Sequence, residues 1–391
     1  REVASVCVSG TSASVLTIDQ RSGNVLRQPR MYDYAVGGQF GDKAMEIIEQ
    51  SAPEGHTVRA RTSALAKLLA WHLERPLSAQ ERLVHQADYA ALMLSSGRLI
   101  AAGEDHAELC CATDWHNALK LGYDVEALAW PAWLLGILSD IGLPREVLPS
   151  PVFRPGGGAG TQHSERHVHE LVSTQLGLAT SCSIVGGTTD SIAAFVAAGC
   201  TSAGEAVTSL GSTMSIKMIS TVKVDNSDFG IYSHRLGDDW LVGGASNIGC
   251  RIFRKLGYTD QELETLSRAM APPNDAAKLA SEPAYYPLSD TGERFPVNDP
   301  QMEPTLPAAE ASRQETLEAL LVSMSQIERD AYQKMAELGA TPVSRVYTCG
   351  GGSRNAVWTS LRSQCIGVEV SKAKETDAAY GAALLAMRSL S

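Results

Sequence analysis

Apolar residues recur along this chain at two spacings, and the places where one gives way to the other mark its elements. Alternation predicts strands at Ala206-Val-Thr208 and Met214-Ser-Ile-Lys-Met218, joined through Leu210-Gly211-Ser212-Thr213 as a glycine-centred hairpin. It also predicts a strand from Ser344 to Cys349, running into Gly350-Gly351-Gly352-Ser353-Arg354-Asn355 and then a helix from about Ala356 to Cys365. Ser183-Ile-Val185 reads as a buried strand end, Gly186-Gly187 as a tight turn, and Ser191 onward as a helix of small residues. Near the start, Val3 to Val8 reads as one buried strand and Ser14 to Ile18 as a second, with Asp19 to Gly23 turning the chain back to Val25.

Helical spacing appears from Thr62 to His72, with Leu65, Leu68, Leu69 and Trp71 on the apolar side, and again around Asp88 to Leu94. Ser312-Arg-Gln-Glu315 is a capping box opening a long helix that turns Leu317, Leu320, Leu321, Met324, Ile327, Ala331 and Met335 inward and stops at Gly339. That stripe is core, and its work is to support the sheet presenting the triple glycine. Residues 95–109, 155–160 and 272–307 read as loop. A helix is expected to begin at His163; with Glu165 and Arg166 interleaved and no third ligand, His163 and His167 fit an exposed helix face better than a metal site. The alanine-rich stretch Glu375 to Leu384 closes the chain as a helix with a small face suited to close packing.

With 391 residues, 44% hydrophobic and 20% charged, the chain suits a soluble globular protein of two domains. The small, turn-rich Cys200 to Gly204 puts their border between residues 1–200 and 201–391. A net charge of −11, dispersed rather than blocked, predicts neither nucleic acid nor an anionic membrane surface as partner. Eight cysteines without a C-x-x-C pair suggest reduced thiols of an intracellular protein, with Cys110-Cys111 the one pair worth testing for redox chemistry. No apolar run reaches the ~18 residues of a spanning helix. Arg1 is not a natural start, so the chain is expected to have lost something at that end, and any targeting segment with it.

Three stretches carry candidate chemistry. Asp190 sits where strand, turn and helix meet, as either a general base or a helix cap. The amides and hydroxyls of Gly211, Ser212 and Thr213 can line an anion site, or merely turn a hairpin. Gly350, Gly351 and Gly352 let a flat ring press on bare backbone, with Asn355 for a hydrogen bond and Trp358 for an apolar face; a flexible loop is the alternative. Gly244 and Gly249 have phosphate-loop separation, but Cys250-Arg251 stands where Lys-Ser/Thr is required, which rules that motif out. Asp88, Asp114 and Asn117 can reach a sugar, with capping or solvated roles as the alternative.

In this order, Gly187-Thr-Thr-Asp190, Leu210-Gly-Ser-Thr213 and Gly350-Gly-Gly-Ser-Arg-Asn355 resemble the FGGY family of carbohydrate kinases. His116 to Tyr123 and Thr291-Gly-Glu-Arg-Phe-Pro296 are most similar to its cyanobacterial and plant ribulose/xylulose kinases. The resemblance implies an α/β, two-domain actin/hexokinase-like (ribonuclease H-like) fold with a central cleft: a sugar-binding first domain and a nucleotide-binding second. It implies transfer of the γ-phosphoryl of ATP, with Mg²⁺, to a ketopentose, and cytoplasm or plastid as location. Asp190 would be the base, and Thr11 and Ser12 would meet the sugar, although a turn hydroxyl bonding local backbone suits Ser12 equally. Gly211, Ser212 and Thr213 would hold phosphate, while Gly350, Gly351, Gly352, Asn355 and Trp358 would seat adenosine, with the closing helix behind that pocket.

Bacterial xylulose kinases commonly carry His-Gly where this chain has Thr11-Ser12, which favours D-ribulose over D-xylulose and leaves glycerol and other polyols open. The family also opens with Asp-x-Gly-Thr/Ser, and nothing ahead of Gly10-Thr11-Ser12 supplies it. The first domain is therefore expected to be incomplete and this chain alone to have little activity. A catalytically silent sugar- or nucleotide-binding protein is the competing expectation.

Overall fold

The computed structural model describes residues 3–97, 108–157, 166–270, 279 and 281–388. The chain divides into two compact units, the first Arg1–Ala197 with Thr376–Ser391, the second Ala198–Glu375. His163 and most of the expected loop at 95–109 lie outside the described residues.

The first unit is built on short strands. In chain order they are β1 (Ser5–Val6), β2 (Ser9–Gly10), β3 (Val15–Asp19), β4 (Glu81–His85), β5 (Thr113–Asp114), β6 (Val152–Phe153), β7 (Ser183–Ile184) and β8 (Thr188–Thr189). Parallel pairs form between β1 and β7, β2 and β8, and β5 and β6, while β3 lies antiparallel to β4. The expected strand over Val3 to Val8 is thus shortened to β1, with β2 a separate strand beyond it. The cause is Gly186, whose backbone bonds Gly156 and Gly157 rather than continuing the ladder alongside Cys7. Gly186-Gly187 is accordingly not a tight turn but an open link between β7 and β8. Glycine is required there because a Cβ at Gly186 would overlap the Arg154 carbonyl, and one at Gly187 would come 2.8 Å from that of Val8.

The expected helix around Leu65 spans Ala64–Glu74, capped by the Ser63 hydroxyl accepting from Ala66 N–H at 3.1 Å. Leu65, Leu68 and Leu69 are fully buried in one apolar cluster with Ile48, Leu83, Leu134 and Leu138. Two of its walls, the helices Gly38–Ser51 and Ala132–Asp140, are additions to the sequence reading. Of the helix expected from His163, residues 166–169 are described and are not helical, and a helix spans Glu170–Leu176.

The closing helix, Ala378–Arg388, packs on the helix Asp190–Ala197 and so lies in the first compact unit. Gly381 makes this contact possible, since any Cβ there would overlap the Ala193 carbonyl. Ser5 Oγ also donates to the Ala386 carbonyl at 2.8 Å.

The second unit holds one six-stranded sheet. Its strands are β9 (Glu205–Leu210), β10 (Met214–Ser220), β11 (Tyr232–Leu236), β12 (Asp239–Ser246), β13 (Arg345–Cys349) and β14 (Glu369–Lys372), in spatial order β11-β12-β10-β9-β13-β14. The first four are antiparallel neighbours, and β13 and β14 continue parallel to β9. The long helix spans Arg313–Glu337 with the expected Ser312–Glu315 capping box, and its seven named apolar residues are buried. Among the described residues no helix is long and apolar enough to cross a membrane.

Candidate functional site

In the second unit three glycine-bearing segments converge on the end of β9. The β9–β10 hairpin closes at Gly211 to Thr213, with Gly211 N–H donating to the Thr213 carbonyl at 3.1 Å and Cys250 N–H donating to the Gly211 carbonyl at 2.8 Å. Gly249 lies so close beneath the turn that a Cβ would overlap the Ser212 carbonyl. Gly350 has φ 80°, a left-handed conformation, and a Cβ on it would sit 2.6 Å from the Leu210 carbonyl. A Cβ on Gly352 would stand 2.8 Å from Leu210 Cβ and from the Trp358 ring. Gly351 alone of the three faces open space. Two of the glycines therefore serve backbone approach, and the third leaves a bare surface.

That surface borders a cavity of about 580 Å³ lined by Gly351, Gly352, Asn355, Trp358, Tyr258 and Ser267, among others. Asn355 caps its own helix, Ala356–Ile366, by accepting from Trp358 N–H at 3.0 Å, and donates to Ser267 Oγ at 2.7 Å. Trp358 is 2% exposed, meets Phe253 edge-on at 6.0 Å and donates from Nε1 to Ser325 Oγ at 3.1 Å. Both residues thus build the wall, and their principal polar groups are already bonded. Ser267 and Tyr258 were not singled out by sequence; the signal was the capping box Thr259-Asp-Gln-Glu262, which opens the helix Asp260–Ala269.

The two strands that deliver these turns are fixed by a buried polar network. Arg362 and Glu328, 0% and 1% exposed, form a two-pronged ion pair at 2.5 and 2.6 Å. Arg362 Nη1 donates to Thr348 Oγ1 at 2.8 Å, and that hydroxyl donates to the Thr208 carbonyl at 3.2 Å. Thr208 Oγ1 lies 2.7 Å from the Tyr332 hydroxyl, whose pKa is raised by burial and then by the charge of Glu328, so it stays protonated. At the end of β12, Glu293 accepts from Ser246 Oγ at 2.6 Å and from Asn247 N–H at 2.8 Å. The segment Thr291 to Pro296 in this way anchors the approach to Gly249.

In the first unit, register brings together residues far apart in sequence. Gly10 pairs with Thr189 in the parallel β2–β8 pair, so Thr11-Ser12 and Asp190 leave adjacent strands at the same end. Asp190 is half-buried, begins its helix and accepts from Ser191 N–H at 2.6 Å. Thr11 is committed locally: its N–H and Oγ1 donate to Gln86 Oε1 at 3.0 and 2.9 Å. Ser12 Oγ is buried with no partner atom, unlike a turn hydroxyl bonding local backbone.

Around this strand end the polar residues are buried and bonded rather than solvated. Asp114 Oδ1 caps the helix Trp115–Leu119 by accepting from His116 and Asn117 N–H at 2.9 and 3.1 Å, and Oδ2 accepts from Asn117 Nδ2 at 2.6 Å. Asp88 Oδ2 lies 2.9 Å from His85 Nδ1. His116 Nδ1 is 2.8 Å from Thr188 Oγ1, which holds the Trp115–Leu119 helix against β8. Lys120, at the end of that helix, has its pKa lowered by burial, against the opposing pull of the Asp190 carboxylate. Sequence reading missed Lys120, whose relation to Asp190 appears only in three dimensions. All eight cysteines are free, and burial raises the pKa of both Cys110 and Cys111, which argues against a reactive thiol pair.

Comparison with known proteins now gives these features a setting. Residues 206–390 match the C-terminal domain of the FGGY family of carbohydrate kinases. A gluconokinase from Bacillus subtilis (strain 168) is 24% identical over 276 residues, 67% of this chain, and the match spans 50% of that relative's length. A xylulose kinase from Brucella ovis superposes with a TM-score of 0.76 at 20% identity, covering 99% of this chain and 76% of that one. One from Rhodospirillum rubrum gives 0.72 at 21% identity, with 99% and 76% covered. The architecture is the actin/hexokinase-like two-domain fold of sugar kinases. Within that class, the likeness to the FGGY family of carbohydrate kinases is carried by residues 206–390, which match its C-terminal domain.

Proposed function

We propose that the protein phosphorylates a ketopentose with ATP, D-ribulose to D-ribulose 5-phosphate being the reaction that suits it best. The observation that carries this reading is the β2–β8 register, from which Ser12, with its unbonded hydroxyl, and Asp190 emerge side by side. Asp190 accepts the proton of the sugar's primary hydroxyl as that oxygen bonds the γ-phosphorus and the bond to the bridging oxygen of ADP breaks. General-base help of this kind is worth about 10²–10⁴ in rate. The Gly211 to Thr213 turn holds phosphate oxygens, and adenosine occupies the cavity beside Gly351, walled by Gly352, Asn355 and Trp358, with Gly350 seating the loop on Leu210.

Among the described residues no group of three or more His, Cys, Asp or Glu is placed to hold a metal ion. Mg²⁺ would neutralise charge on the transferring phosphoryl group, held largely by phosphate oxygens and water. In the first unit Thr11 shapes the turn and Ser12 contacts the sugar.

The test is a pentulose and polyol screen of the full-length protein with coupled ADP detection. Turnover of D-ribulose, abolished by Asp190→Ala, supports the reading. A preference for D-xylulose or gluconate moves the substrate assignment, and sugar binding without any ADP release identifies a silent binder instead.

A further inference from the structure

The Thr11 to Ala13 turn is fastened from beneath by a charge. Lys67 lies within the helix Ala64–Glu74 and is 0% exposed. Its Nζ donates to the carbonyl oxygens of Ala13 at 2.8 Å and Met31 at 2.7 Å, tying together two segments eighteen positions apart in sequence. Both of these acceptors are carbonyl oxygens, so the buried ammonium is held largely by carbonyl dipoles, a costly arrangement. Burial, then the like charge of Lys120, pulls its pKa down to about 8; Asp33 opposes this and Arg30 adds to it.

The turn it fastens is itself unusual. Ala13 has φ 62°, in the left-handed region that a non-glycine residue adopts only at a cost. One position before it is Ser12, whose hydroxyl is unbonded. Thr11 on the outer side is braced by Gln86, and its Oγ1 lies 2.5 Å from Ser14 Oγ. Without the Lys67 ammonium, the Ala13 carbonyl loses a donor and the left-handed residue an anchor. The direction of the Ser12 hydroxyl goes with it.

We propose that Lys67 is a positioning residue for the acceptor sugar, holding Ser12 in its binding orientation through the Ala13 and Met31 carbonyls without touching the sugar. This rests on the reading of Ser12 and Asp190 as the sugar site. The experiment is calorimetric titration of D-ribulose, D-xylulose and ATP into full-length wild type, Ser12→Ala, Lys67→Met and the double variant. Lys67→Met is expected to weaken binding of the preferred pentulose about tenfold and leave ATP binding within twofold. The double variant is expected to bind no worse than its weaker parent, because Lys67 acts through the turn that carries Ser12. A general structural defect would instead multiply the two losses, and that result overturns the proposal, as does pentulose binding by Lys67→Met within twofold of wild type. Unchanged binding by Ser12→Ala, or no pentulose binding by wild type, overturns the sugar-site reading and this proposal with it. Should Lys67→Met not fold, Lys67→Gln is measured against the same criteria.

Discussion

Asp114 is fully buried, and its carboxyl carries a pH signature. Burial first, then the neighbouring Asp88 charge, raises its pKa from 3.8 to about 6, although Asn117 pulls it back. The folded protein therefore holds this proton more tightly than the unfolded chain. Its stabilising contribution is fully present below pH 3.8 and is lost as pH rises through about 6. Asp114→Asn, which keeps an acceptor for the helix cap, is expected to gain stability relative to wild type between pH 4 and 6. Melting temperatures measured across that window check it, and a constant difference contradicts it. The sequence made the capping role of Asp114 legible, because a carboxylate ahead of Trp115-His-Asn117 is a local pattern. It did not make the burial legible, because that depends on β6 and β8 closing around it. Thr11 and Ser12 likewise could not be ranked from sequence, and what separates them is Gln86, 75 positions away from Thr11.

The elements most readable in advance were those whose signals are local. The Arg313–Glu337 helix carries its own cap, stripe and stop, and the β9–β10 hairpin its alternation and its glycine. The helix Gly38–Ser51 starts without a side-chain cap, so only Ala44, Met45 and Ile48 at helical spacing mark it. The network joining β9 and β13 to the helices behind them was invisible, since Thr208, Glu328, Thr348 and Arg362 meet only after the sheet forms. Its importance is measurable. Glu328→Gln leaves Arg362 as a buried charge without its counter-charge, a change that costs about 3–5 kcal/mol. A corresponding loss in urea unfolding is expected, together with weakened ATP binding, because the same two strands end at Leu210 and Cys349. Unfolding within 1 kcal/mol of wild type (about a fifth of that ceiling) would contradict the network's role.

At the scale of the whole molecule, the closing helix is the tightly packed element its alanines predict, and its packing places it in the first compact unit although the family match to the second half runs to residue 390. Its alanines and Gly381 announce a close partner but cannot say which one. The partner is the helix that begins with Asp190, so the last residues of the chain support the proposed base. Gly381→Ala places a methyl against the Ala193 carbonyl and is expected to destabilise the first unit by roughly 1–3 kcal/mol, as overpacked contacts do. Chemical denaturation followed by a probe in that unit checks it, and an unchanged midpoint contradicts the packing.

Asp190 is the residue on which the proposed chemistry turns. The most direct test is kcat of the full-length protein and of Asp190→Asn at saturating ATP and pentulose. A base in that position predicts a fall of about 10²–10⁴. A variant that keeps kcat within threefold of wild type would mean that the proton leaves by another route and that the site has been misassigned.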